Sequence, residues 1–179
     1  RRRSDGMRAA LPKGAWDVVF VAADGLSSIA TAEGAVPLYL AMKERLADWK
    51  IAPFVIVTQG RVAVGDEIAA SMNATMVVMM VGERPGLSVA NSMGVYLTYA
   101  PYVGCPDSAR NCISNIHPHG LPTTAAADKL AWLMREARHR KLTGVGLKDD
   151  AAGGAALGPA AQSRSSIPLL RFRRRGYWR

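Results

Sequence analysis

Cysteine is nearly absent from this chain. Its two cysteines, Cys105 and Cys112, are too few for a disulfide framework, and eight methionines suit a reducing interior. Aromatic residues are also sparse at 7%, so aliphatic, alanine and methionine packing must fill the core. No apolar run reaches the roughly 18 residues that a membrane helix needs. The opening Arg1-Arg2-Arg3-Ser4-Asp5 is not followed by a signal-type apolar segment. A soluble, non-secreted protein with no membrane partner is expected. Acid is missing where base is plentiful: residues 151–179 carry six arginines and no carboxylate. With Arg1 to Arg3 they account for the whole net charge of +9, because residues 4–150 hold fourteen basic and fourteen acidic side chains. A nucleic-acid-binding domain shows its basic face on the folded part, so no nucleic-acid partner is expected. Also lacking are Gly-x-Gly-x-x-Gly after a strand and Gly-x-x-x-x-Gly-Lys-Ser/Thr, which excludes the dinucleotide fingerprint and the P-loop. Ser27 has no Gly-x-Ser-x-Gly frame and reads as a helix cap rather than a nucleophile.

What is present is an alternation of short apolar runs and amphipathic segments. Hydrophobic residues make up 49% of the 179 residues and charged residues 21%, enough for one globular core. Residues 17–23, 54–58 and 75–81 are continuous β-branched or methionine-rich runs, as buried parallel strands are. Residues 94–100 form a weaker strand, and 145–147 a last short one. Pro37 is placed to open a helix carrying Leu38, Met42, Leu46 and Trp49 at helical spacing. Arg61 to Met72 reads as a second helix, with Asp66 and Glu67 near its positive end. A third runs from Thr123 or Thr124 as cap to Leu142 and is closed by Gly144. Arg1 to Leu11 resembles the end of a further helix. The expectation is an α/β fold, a Rossmann-like three-layer α/β/α sandwich with a mostly parallel sheet, over residues 1–150. Residues 151–179 lack periodicity and are expected to be a disordered basic tail whose removal leaves the fold intact.

Ligands in open α/β sheets bind beyond the carboxyl ends of the strands. Three such ends carry polar, glycine-containing loops: Asp24-Gly25-Leu26-Ser27, Gln59-Gly60-Arg61-Val62 and Gly82-Glu83-Arg84-Pro85-Gly86. Each could equally be an ordinary turn. Cys105, Cys112, His117 and His119 are the right residue types for tetrahedral zinc, but their spacing fits no common zinc pattern. Cys112 with His117 could form a thiol–imidazole pair in a free-standing small-molecule-binding or hydrolytic domain. The plainer alternative is a small buried thiol beside surface histidines.

Several stretches together resemble the small subunit of ethanolamine ammonia-lyase. They are Ala23-Asp24-Gly25-Leu26-Ser27, Gly60-Arg61-Val62 through Asp66, Val81-Gly82-Glu83-Arg84-Pro85-Gly86-Leu87, Tyr99-Ala100-Pro101 and Arg110-Asn111-Cys112-Ile113-Ser114-Asn115-Ile116-His117. The resemblance spans roughly residues 1–150, and residues after Asp150 are not expected to share it. Members of that family carry a sizeable region before the equivalent of Arg1. The family converts ethanolamine to acetaldehyde and ammonia by radical chemistry from adenosylcobalamin. The resemblance therefore implies a lyase subunit that is inactive alone, with a large subunit as partner in a hetero-oligomer. It implies cobalamin held base-on at the interface, and Asp-x-His-x-x-Gly, by which other cobalamin proteins replace that base, is absent from this sequence. It implies a cytoplasmic site of action, including the interior of a bacterial microcompartment. Carried over residue by residue, the cofactor-binding positions are Val62, Glu83 and Cys112; Arg61 and Arg84, not carried over, are residue types suited to a phosphate or subunit contact. No catalytic or metal-ligating residue is implied on this chain.

Overall fold

The apolar runs form a strand wherever both faces of the sheet demand burial. In the computed structural model, which describes residues 11–84, 91–148 and 169–173 (backbone alone at 171–173), β1 (Trp16–Ala23), β2 (Phe54–Thr58) and β3 (Ala74–Gly82) are mutually parallel. Successive side chains point to opposite faces. Val18, Phe20 and Ala22 of β1 accordingly enter one core cluster with Met76, Val78 and Met80 of β3, while Val19, Val21 and Ala23 enter a second with Val77, Met79 and Val81. The methionines expected to replace aromatics are there, with Met76, Met79 and Met80 at most 1% exposed. Three of the aromatics meet in the core, Tyr39 set edge-on to Phe20 and tilted on Phe54 with centroids 5.4 and 4.7 Å away.

One further strand reverses direction, and the strand after it restores the direction of β3. β4 (Met93–Tyr99) and β5 (Asn111–Ile116) run antiparallel to their neighbours, and the edge strand β6 (Leu169–Arg173) pairs parallel with β2. The order is β5-β4-β3-β1-β2-β6, a six-stranded, mostly parallel sheet in a mixed α/β arrangement. Residues 83–92 join β3 to β4, and that connection is too short for the helical crossover a parallel pair requires.

Three α-helices lie among the described residues: α1 (Ser28–Arg45), α2 (Val64–Met72) and α3 (Thr123–Arg140). Helices α1 and α3 bury Leu38, Tyr39, Met42, Leu130, Leu133 and Met134 in the first cluster. Helix α2 buries Ile68, Ala69 and Met72 in the second, packing on β3 and β1.

Several local expectations are corrected. Pro37 does not open α1; it lies inside a helix that begins at Ser28, capped by Ser27, whose Oγ accepts from the Ala30 amide at 3.3 Å. The proline is exposed, so the carbonyl left without its amide faces water. Helix α3 starts after Pro122 with no side-chain cap and ends on Lys141 in the left-handed region, so neither threonine nor Gly144 serves as expected. Residues 144–146 form a 3-10 turn, not a strand. The tail reading does not hold at Leu169–Arg173, which form β6. Residues 1–10, 151–168 and 174–179, and the turn at Pro85-Gly86, lie outside the described residues. No described helix is long and apolar enough to cross a membrane.

Candidate functional site

From β1 the chain moves to β2 on one side, then crosses through α2 to β3 on the other. The loops beyond the carboxyl ends of β1 and β3 therefore part company, and such a switch point is where α/β sheets bind ligands. Here the three glycine-containing loops are laced together. The Asp24 carboxylate accepts from the Gln59 amide at 2.7 Å and the Gly60 amide at 3.1 Å. In return Arg61 donates through Nη1 to the Gly25 carbonyl at 2.7 Å. The Leu26 amide donates to the Gly82 carbonyl at 2.9 Å. Gly82 is so close to Ser27 that a Cβ would collide with the Ser27 carbonyl oxygen. Gly25 (φ 57°) and Gln59 (φ 57°) both adopt the left-handed region. Glycine does so freely, whereas for Gln59 it is a strain, of the kind that gathers where the surrounding structure enforces a loop shape. Asp24, read from sequence as part of a candidate ligand loop with no role of its own, is thus the clamp between two loops.

Glu83 follows β3 directly. Its Oε2 accepts from Ser92 Oγ and from the Asn115 amide at 3.2 Å, tying the end of β3 to the start of β4 and the end of β5. Its Oε1 lies over Gly94, where a Cβ would sit only 2.9 Å away, and takes no hydrogen bond from the described residues. Asn115 (φ 61°) adopts the left-handed region, which asparagine tolerates better than most residues.

Cys112 lies opposite Tyr96 on neighbouring strands, and Tyr96 packs against the second core cluster. Opposite residues in an antiparallel pair share a face, so Cys112 belongs to the α2 side of the sheet. On that side no described helix covers β4 and β5. Partial burial pushes the Cys112 thiol up, the Tyr96 hydroxyl beside it pulls it down, and the Glu83 charge pushes it up again. The Tyr96 phenol is likewise raised, first by burial, then by Cys112 and Glu83. Glu83, Tyr96 and Cys112 therefore form one electrostatic group. Val62 stands elsewhere, at the turn into α2. It is half-buried against the second cluster, with its carbonyl accepting from the Gly65 amide at 3.1 Å. Arg61 and Arg84 are exposed.

Beneath this face lies a buried ion pair that no sequence spacing signals. Arg110 donates bidentately to Asp66, 2.8 Å to each carboxylate oxygen, with side chains 3% and 2% exposed. It also donates to Thr98 Oγ1 at 3.1 Å, the Cys105 carbonyl at 2.7 Å and Asp107 at 3.3 Å. The Asp66 hydrogen bond, outweighing burial, raises the Arg110 guanidinium further.

The thiol–imidazole pairing is not formed. His117 is buried, and both ring nitrogens are engaged: Nε2 with Asn115 Oδ1 at 2.8 Å, and Nδ1 as acceptor for the His119 amide at 3.3 Å. The plain alternative holds for Cys105, which is buried, and His119, which is exposed, but not for Cys112, which is exposed, or His117, which is buried. Cys105 is buried beneath Arg110. Among the described residues no three His, Cys, Asp or Glu side chains are placed to hold a metal. A cleft of about 430 Å³ does exist at the amino ends of β1 and β3, lined by Trp16, Asp17, Lys50, Asn73 and Arg138. It lies at the opposite end of the sheet from these loops.

The ethanolamine ammonia-lyase light chain (EutC) family profile matches residues 1–148. The chain is 51% identical over 152 residues to an ethanolamine ammonia-lyase small subunit of Azotobacter vinelandii, covering 82% of this chain and 56% of that protein. It is 47% identical over 174 residues to the small subunit of Ralstonia nicotianae, covering 96% of this chain and 59% of that protein. The chain thus spans little more than half the length of these curated relatives. The second alignment reaches past Asp150, so the likeness extends into the segment expected to fall outside it.

Proposed function

Because the chain belongs to the ethanolamine ammonia-lyase light-chain family, we propose that it is the part of a small subunit that holds adenosylcobalamin against a large subunit. Residues 1–150 are its Rossmann-like, three-layer cofactor domain, working in the cytoplasm or within a microcompartment. The partnership converts ethanolamine to acetaldehyde and ammonia, and this chain supplies no reacting group.

The observation that carries the reading is that Glu83, whose carboxylate reaches back from the end of β3 over Gly94, and Cys112, opposite Tyr96 near the start of β5, share the face of the sheet that no described helix covers at β4 and β5. The residues fit the group. Oε1 of Glu83 retains acceptor capacity toward an amide N–H or ribose hydroxyl. Cys112 offers a small surface that the raised thiol keeps uncharged at neutral pH, suited to the apolar ring or base. Val62 adds an aliphatic contact at the head of α2. Adenosylcobalamin, when bound, supplies the radical that starts the rearrangement. The chain's own residues bind and orient it and exclude water from one side. One side is all they cover, so ordering and desolvation costs would consume much of the contact energy without a second wall. Exposed Leu26 and, on one stripe of α1, exposed Ile29, Val36 and Leu40 support a partner beside the same loops.

The test is to supply the purified chain with adenosylcobalamin and ethanolamine, with and without the large subunit. Ammonia release and co-elution of the cobalamin visible spectrum are expected only with both. Acetaldehyde formation with the large subunit rigorously absent overturns this division of labour.

A further inference from the structure

We propose that the Asp66–Arg110 ion pair is a positioning device, fixing the head of α2 relative to the start of β5 so that Val62 and Cys112 are held at one separation. The inference deepens the cofactor reading and rests on it.

Arg110 has five N–H donors, and every one is used: two on Asp66, and one each on Thr98, the Cys105 carbonyl and Asp107. With none to spare it cannot itself bind a cofactor phosphate, so any influence on a ligand must pass through what it holds. What it holds is specific. Asp66 lies in the first turn of α2, just beyond Val62, whose carbonyl anchors that turn through Gly65. Arg110 immediately precedes β5, and Cys112 is its second residue. Thr98 ties in β4, and the Cys105 carbonyl ties in the loop that leads into β5. No described helix packs over β4 and β5 on this face, so helix packing does not set the distance between α2 and β5 there. The planar bidentate contact does. Lysine would keep the charge and lose that geometry.

The experiment uses the full chain assembled with its large subunit, and the same variants without it. Arg110→Lys and Asp66→Asn break the pair, and both should lower the melting temperature. The double variant Asp66→Leu with Arg110→Met fills the site with apolar atoms, an exchange that often restores stability at a buried pair. If the pair only holds the fold, cofactor affinity returns with the melting temperature. If it positions, KM for adenosylcobalamin stays raised by about ten- to a hundredfold, the scale on which small misplacements act. In that case kcat at saturating cofactor changes far less, and Cys112 in the chain alone is alkylated several-fold faster than in the parent. A double variant with parental melting temperature, parental KM and parental Cys112 alkylation overturns the proposal. Glu83→Ala serves as the control. If it also leaves cobalamin affinity untouched, the cofactor reading beneath the proposal has failed, and the proposal with it. If it weakens affinity while the pair variants do not, the positioning role alone has failed.

Discussion

On the proposed cofactor reading, Glu83 is one carboxylate asked to serve fold and ligand together. Oε2 satisfies Ser92 and the Asn115 amide, and Oε1 is left over Gly94. Sequence alone suggests a loop carboxylate whose loss spares the fold, but the structure adds a structural cost. Glu83→Ala should weaken cobalamin binding in the assembled enzyme by about 1.5–3 kcal/mol and lower folding stability by about 1 kcal/mol as two donors lose their acceptor. Titration of cofactor and thermal melting check the two halves separately, and unaltered cofactor affinity refutes the assignment. Cys112 makes a pH-dependent claim. Its thiol is raised in the folded chain, by burial first, so the fold favours the protonated form. That contribution to stability is complete below the ordinary thiol range and is lost as pH rises through the raised value. Alkylation of Cys112 followed against pH should inflect above the midpoint of the urea-unfolded chain. A midpoint at or below it contradicts the geometry around Tyr96.

At the scale of elements, β6 carries the clearest departure from expectation. A strand pairing Leu169 with Phe54 and Leu170 with Val55 covers the outer edge of β2. Without it, β2 would present unpaired amides and carbonyls beside the buried Val55 and Val57. Deleting residues 151–179 should therefore lower the melting temperature by several degrees and promote self-association, measured by calorimetry and light scattering. An unchanged melting temperature and a monodisperse product would mean that the edge is protected in another way. The element was illegible because strand propensity is weak evidence in a five-residue run, and edge strands are decided by the partner they find. For the same reason β5 could be quoted residue by residue and still not be recognised as a strand: Ile113 and Ile116 alone in it are buried, and no alternation marks a face.

For the whole molecule, charge and fold are nearly independent. The neutral segment 4–150 contains β1 to β5 and all three described helices, and the excess of +9 sits outside it. Binding to a polyanion should therefore be electrostatic and shallow. Retention on a polyanion column at low salt should vanish by roughly 0.2 M salt and in the variant lacking residues 151–179. Salt-resistant retention by that variant would place a basic face on the folded part and reopen the nucleic-acid reading.

The sequence by itself determined the core. Three continuous apolar runs have the pattern of buried parallel strands, and β1, β2 and β3 fall within a residue or two of where those runs lie. It also determined where to look, since the loops after those strands are both glycine-rich and family-like. The tertiary structure alone decided the reversal of β4, the covering of β2 by β6, and the pairing of Asp66 with Arg110. Each depends on residues far apart in the chain meeting at one place: a short connection that forbids a crossover, an edge left unpaired, a buried charge that must find its opposite. Local pattern records the preference of a residue for an environment, but not which distant residue will supply it.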